Sequence, residues 1–376
     1  MYFIIGADLV PTTGNAALFI NGDAESLVGK ELKDVLDQAS CRIFNLEVPL
    51  TDREKPIVKQ GPNLIAPAAA VSGYKALGAD ILTLANNHIM DQDVQGLDAT
   101  VETLRKADIR YLGTGADLCA AARPLVFPFA DKKIGIYACA EHEFSVAEEN
   151  RPGANPFDPL WSFDHVAELK KRADYVIVLY HGGKEYYRYP SPLLQKTCRR
   201  FADKGADLVL CQHSHCIGCE EKYRESTIVY GQGNFIFDDC DDEFWKTGLL
   251  VKVDDRFRVS YLPLIKKGNG VRLADAQGGK EILDGFRSRS EEIRTPGTIE
   301  KKYAEFADSY LEDYLYALSG RKTLFFRVLN KLTGGRMVKR HLRRIYETRS
   351  KAAIVNYIDC EAHRELLLQA LKKQLV

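Results

Sequence analysis

Five apolar, strand-like runs in this chain each end on residues able to hold a divalent metal. The runs are Tyr2–Ala7, Cys41–Leu46, Asp80–Ala85, Asp174–Tyr180 and Asp207–Cys211. They lead into Asp8, Glu47, Asn86-Asn87-His88, His181 and His213-Ser214-His215. Parallel strands bring their carboxyl ends to one edge of a sheet. Side chains far apart in sequence then converge on one crevice. His, Asp, Glu and Asn together suit hard-to-borderline divalent ions.

Between these runs lie amphipathic helical stretches: Ser26–Ala39, Pro67–Leu77, Val94–Ala107, Ser162–Ala173 and Pro192–Lys204. Alternating β and α predicts a layered α/β fold with a largely parallel sheet. Pro124–Phe129 and Lys133–Ala138 are expected to form a hairpin around Asp131-Lys132-Lys133. Thr227–Tyr230, Thr247–Val253 and Phe257–Pro263 finish the sheet region, with antiparallel additions expected there. The polar loop Glu141 to Pro159 is expected to be surface-exposed and lid-like. Beyond about residue 295 only helical patterns remain: Glu300–Ala317, Lys322–Leu332, Met337–Ser350 and Cys360–Leu375. The expected domains are therefore 1–295, an α/β domain, and 296–376, a helical extension.

Formal net charge is zero over 376 residues, so no global bias toward nucleic acid exists. The balance hides an asymmetry. Arg321 to Lys351 holds eleven Lys/Arg against one acid, Glu347. Its apolar and cationic side chains, Leu324–Leu329 and Met337–Ile345, fit either of two readings. One is a basic outer face of a packed helical subdomain. The other is a peripheral contact with an anionic membrane. The start MYFIIGADLV has no basic region followed by a long apolar stretch, and Met1 is read as a natural start. No window reaches the roughly 18 continuous apolar residues of a spanning helix. A cytoplasmic location is expected, and with it reduced thiols for the nine cysteines.

Each ligand candidate is weak alone. His213-x-His215 reaches one ion only if the backbone turns sharply after its strand. His181 precedes Gly182-Gly183, and Asn87-His88 sits among ordinary turn formers. Their order along the chain is the stronger signal. The motifs Gly6-Ala7-Asp8, Asn45-Leu46-Glu47-Val48-Pro49-Leu50-Thr51 and Ala85-Asn86-Asn87-His88, with Asp91 and Gly96, open the pattern. His181-Gly182-Gly183-Lys184-Glu185-Tyr186, Gly205-Ala206-Asp207, His213-Ser214-His215 and Gly233-Asn234-Phe235 continue it. Over roughly residues 1–265 the chain resembles the calcineurin-like metallophosphoesterases. More narrowly it resembles the CapA family of capsule synthesis and poly-γ-glutamate biosynthesis (PGA_cap) proteins.

The resemblance implies a four-layer sandwich of two mixed β-sheets flanked by helices, and a dinuclear metal centre. Asp8 would ligate the first metal and Glu47 would bridge both. Asn87, His181 and His213 would hold the second metal, and His215 the first. His88 would act as a proton donor oriented by Asp91. The chain departs from the superfamily in having no histidine two residues after Asp8. Only Asp8, Glu47 and His215 are then left for the first metal, so one or two ions are expected, of Mn, Fe, Zn or Mg. A second departure is Gly182, where an aromatic residue is common; a wider pocket is expected there.

Lys59, Lys184 and Arg188 are candidates for neutralising a phosphate or polyanion, against a reading as solvated loop charges. Glu185, Asn45 and Asn234 are expected to support or form turns. Tyr186, Tyr187 and Tyr189 would stack on a sugar or cover a loop. Cys211, Cys216 and Cys219 offer a separate zinc site as a minor alternative.

Two functions are carried forward. One is a metal-dependent phosphoric ester hydrolase in capsule or exopolymer production, acting on a phosphorylated or polyanionic polymer or intermediate. The other is a non-catalytic assembly factor of a capsule synthase complex, with a vestigial metal site.

Overall fold

A computed structural model of the chain describes residues 1–237, 242–320 and 336–374. Its fifteen strands are β1 (Tyr2–Asp8), β2 (Arg42–Asn45), β3 (Ile81–Thr83), β4 (Arg110–Leu112), β5 (Thr114–Gly115), β6 (Leu125–Phe129), β7 (Lys132–Ala140), β8 (Gly153–Ala154), β9 (Tyr175–His181), β10 (Leu208–Gln212), β11 (Glu220–Tyr223), β12 (Ser226–Tyr230), β13 (Thr247–Asp254), β14 (Val259–Lys267) and β15 (Gly270–Leu273). They form a seven-stranded sheet, β15-β14-β13-β1-β2-β3-β4, and a six-stranded sheet, β11-β12-β10-β9-β7-β6, plus the small pair β5-β8.

The two large sheets face each other. Alternation along each strand splits its apolar side chains between two cores. Phe3 and Ile5 of β1, Ile177 and Leu179 of β9, and Leu208 and Leu210 of β10 share the core between the sheets. Ile4 instead packs with Leu27, Leu32, Tyr74 and Leu104, from helices on the outer face of the first sheet. Val176, Val178 and Val209 pack with Val166, Leu169, Cys198 and Phe201 on the outer face of the second. The result is helix, sheet, sheet, helix: the four layers the resemblance implied. Strands buried on both faces explain the near-continuous apolar runs read in the sequence.

The parallel strands do not belong to one sheet. β1, β2 and β3 run parallel in the first, with Asp8 beside Asn45. β7, β9, β10 and β12 run parallel in the second, with His181 beside Gln212. The antiparallel additions are β13, β14 and β15 on the first sheet and β6 and β11 at the edges of the second, whereas Thr227–Tyr230 lies in β12, which runs parallel to β10.

Several expectations are corrected. The β6–β7 hairpin pairs Phe129 with Lys132, so its turn is Ala130-Asp131, with Ala130 at φ +52°. The helix Ala276–Glu292 was not expected, because Gly278, Gly279 and Gly285 obscure its pattern. Asp275 caps it by accepting a hydrogen bond from Gly278 N, and its Phe286 joins the inter-sheet core. The loop from Glu141 is not a free surface lid. It contains β8, and Ser145, Ala147, Ala154 and Asn155 are buried.

The chain divides into two compact units, Met1–Glu300 and Lys301–Val376. In the second, Leu315, Val338 and Leu342 form a small cluster, and Thr348–Asp359 and Glu361–Lys372 are helices. The expected helix Lys322–Leu332 lies outside the described residues. No described helix is long and apolar enough to cross a membrane. The described cysteines are all free thiols.

Candidate metal centre

Strand ends of both sheets meet at one place. Asp8, at the end of β1, and Glu47, just past β2, face His181, at the end of β9, and His213 and His215, just past β10. All five are buried. The two histidines after β10 can both turn inward because each adopts a left-handed backbone, φ +83° at His213 and +53° at His215. Non-glycine residues rarely do so, and such strain gathers at functional sites.

His181 Nε2 is the point of convergence. It lies 3.0 Å from Asn87 Oδ1, 3.1 Å from His213 Nδ1 and 3.1 Å from Glu47 Oε1. One ring nitrogen can donate a single hydrogen bond, so three such neighbours cannot all be served by it. Glu47 is wholly buried, and apart from the approach of His181 Nε2 to Oε1 its carboxylate oxygens have no hydrogen-bond partner among the described residues. Buried carboxylates without partners are costly. A cation within the Asn87, His181, His213 and Glu47 set would answer both anomalies. A second set, Asp8, Glu47 and His215, likewise offers donors within 4.8 Å of one another. Glu47 is common to both sets. The donor chemistry therefore fits divalent metal binding.

Hydrogen bonds hold these donors in place. Asn45 Nδ2 donates to Asp8 Oδ1 at 2.7 Å and lies 3.3 Å from His181 Nδ1. Asn86 Nδ2 donates to Asn45 Oδ1 and to the carbonyl of Leu46. Asn234 Oδ1 lies 2.9 Å from His215 Nδ1, and the Trp245 ring packs against that histidine at 4.9 Å between centroids, tilted by 36°. Burial opposes charge on His215, but Asp8 and Glu47 outweigh it and push its pKa up to about 9. Burial also opposes ionisation of Asp8, which His215 and His181 nevertheless hold below the usual carboxylate range. His213 is driven well below the ordinary histidine value by burial and by its two histidine neighbours.

His88 stands beside this cluster. Its Nδ1 is 2.6 Å from Asp91 Oδ2, the pairing expected from the sequence. Lys59 departs from expectation. Its side chain is only 2% exposed and pairs with Asp91 Oδ1, so it is not a solvated loop cation. Lys184 lies 3.5 Å from Glu185. Arg188 donates to the carbonyl of Ile217 and lies over the Phe244 ring. Gly182 does not widen the pocket, because a Cβ there would sit 2.7 Å from Glu141 Cγ: the Glu141 side chain occupies that space. Cys211, Cys216 and Cys219 are buried, and no metal-ligating group among the described residues includes them. Glu143 and Ser145 were not singled out from the sequence. Glu143 accepts a hydrogen bond from Asn87 Nδ2 at 3.0 Å, and Ser145 Oγ donates to the carbonyl of Asn87. Their loop carries no periodic signal that would have flagged them.

The profile of the "Bacterial capsule synthesis protein PGA_cap" family matches residues 11–239, more than half of the chain. The chain belongs to this family. A "PGA biosynthesis protein CapA" of Bacillus subtilis is 32% identical over 176 residues, covering 45% of each chain. A Mycobacterium tuberculosis protein named a probable polyglutamine synthesis accessory protein is 31% identical over 247 residues. That match covers 61% of this chain and 62% of the relative. The chain thus spans less than two thirds of either relative's length. Among solved structures, a phosphatase of Mycoplasma pneumoniae aligns with 18% identity and a TM-score of 0.43, over 70% of this chain and 93% of that one. The match to the PGA_cap family begins just past Asp8, which reaches the cluster through its pairing with Asn45.

Proposed function

We propose that this PGA_cap protein is a metal-dependent phosphoric ester hydrolase acting in capsule or exopolymer production. The observation that carries this reading is Glu47: a wholly buried carboxylate, shared by two donor sets, whose only close partner among the described residues is His181 Nε2, itself contested by Asn87 and His213. Asp8, Glu47 and His215 would hold one cation; Glu47, Asn87, His181 and His213 would hold the other. Bound divalent ions at such a site supply charge for a phosphoryl group and hydroxide near neutral pH.

The chain's own part is positional. His88 Nδ1 faces Asp91, which fixes the ring and leaves Nε2 to hold a proton for the leaving oxygen. Asp91 accepts from Lys59 and from Leu64 N as well, so its carboxylate is fixed from several sides. Lys184 and Arg188, on the segment after β9, are the candidate contacts for the rest of a polyanionic substrate. Poly-γ-glutamate itself is an amide polymer, and a phosphorylated polymer or intermediate fits this chemistry better.

The second reading is a non-catalytic factor of a synthase complex. It is favoured by the relative named an accessory protein and by the short ligand set around Asp8. A panel of phosphomonoesters and phosphodiesters with Mn²⁺ separates the two. Hydrolysis that disappears in His88→Ala while metal is retained supports the enzyme. Metal-loaded protein inactive on every ester supports the assembly factor.

A further inference from the structure

One contact left unused by that reading lies behind the donors of the second cation, at the solvent-facing side of the site, where the Glu143 side chain is 38% exposed. Glu143 comes from the segment after β7. Its Oε2 accepts from Asn87 Nδ2 at 3.0 Å, and its Oε1 lies 3.9 Å from His213 Nε2. Asn87 Oδ1 and His213 Nδ1 are the two atoms that approach His181 Nε2. Glu143 therefore faces the rear of two different donor groups.

An amide side chain can present either its oxygen or its NH₂. Only the oxygen can ligate a cation. By taking the NH₂, Glu143 decides which end of Asn87 faces Glu47. An imidazole has the same ambiguity between its two nitrogens. A carboxylate near Nε2 favours the proton there and leaves Nδ1 free as a donor. The segment that carries the carboxylate is held on both sides. Glu141 N donates to the carbonyl of His181 on one side. On the other, Ser145 Oγ donates to the carbonyl of Asn87 and accepts from Met90 N. The segment is stitched to both sheets' contributions to the site.

We propose that Glu143 is a positioning residue that selects the ligating atoms of Asn87 and His213 for a divalent cation. The inference rests on the metal-site reading above. Partners behind metal ligands change affinity by about 10–100-fold when removed.

The test is Mn²⁺ binding to the full chain, read by calorimetric titration of chelator-treated protein. Glu143→Ala is expected to weaken binding by about 10–100-fold at one class of site. Glu143→Asp keeps the charge but draws the carboxylate back by one methylene, and is expected to weaken binding similarly. Thermal unfolding in chelator checks that both variants fold as the unaltered chain does; should Glu143→Ala fail to fold, Glu143→Asp alone decides. Wild-type affinity in Glu143→Asp would overturn the proposal, because general attraction by a nearby charge would then suffice. Unchanged affinity in Glu143→Ala would overturn it too, with the metal site intact. A wild-type chain that binds no Mn²⁺ would instead overturn the metal-site reading itself, and this inference with it.

Discussion

Lys59 and Asp91 form an ion pair inside the wall of the site, with 2% and 0% of their side chains exposed. Asp91 serves Lys59 with one oxygen and His88 and Leu64 N with the other. Breaking such a pair strands a buried charge. Lys59→Met is expected to destabilise the fold by about 3–5 kcal/mol, measured by urea unfolding. The double variant Lys59→Met, Asp91→Leu is expected to cost less than Lys59→Met alone, because no charge is left uncompensated. A double variant that costs the sum of Lys59→Met and Asp91→Leu measured singly would mean that the pair is not coupled.

His88 offers a separation of chemistry from metal binding. It lies in the turn that carries Asn87, but it belongs to neither donor set. His88→Ala is expected to retain the metal content of the wild type by elemental analysis. Ester hydrolysis is expected to fall by about 10²–10⁴, the usual range for a lost general acid. Metal lost in parallel with activity would show that His88 acts through the ligand cluster.

The sequence made the buried donor cluster legible because each donor follows an apolar run, and such runs mark buried strands whatever sheet they join. It did not reveal that two sheets share the site. Asp8 and Glu47 come from one, and His181, His213 and His215 from the other. Periodicity reports burial, not which neighbour a strand pairs with. The supporting contacts were only partly legible. Asn45 and Asn234 sit in motifs and were suspected, whereas Glu143 works from an irregular loop where charge alone gives no signal. For Lys59, offered as a phosphate contact or a solvated loop charge, the second reading fails for a related reason. A lysine in a Pro/Gly-rich loop ordinarily is solvated, and only the fold brings it to Asp91. Nor could Gly182 disclose, from sequence, that Glu141 fills the space beside it.

That contact has a consequence for packing. Burial of Glu141 raises its pKa above the ordinary glutamate value, while Gly183 N hydrogen-bonds to it. A methyl group at position 182 would displace this side chain. Gly182→Ala is expected to cost about 1–3 kcal/mol of stability, as overpacking does. Glu141→Ala should make Gly182→Ala nearly neutral when the two are combined. A double variant as unstable as the summed single changes would locate the strain in the backbone.

Glu47 gives the most direct measurement. A cation that binds the folded chain and not the unfolded one stabilises it by about 2.7 kcal/mol at one hundred times its Kd. The wild-type Tm is therefore expected to rise when Mn²⁺ is added to chelator-treated protein and to fall again on chelation. Glu47→Gln keeps the size of the side chain and removes the charge common to both donor sets. Its amide NH₂ also replaces one of the two oxygens available to a cation. The Mn²⁺-dependent rise in Tm is expected to disappear in this variant. Asp8→Asn leaves Asn87, His181, His213 and Glu47 in place, so part of the rise is expected to survive there. If Glu47→Gln and wild type gained the same Tm from Mn²⁺, the ion would be binding elsewhere, and the crowding of Glu47, Asn87 and His213 around His181 Nε2 would need another explanation.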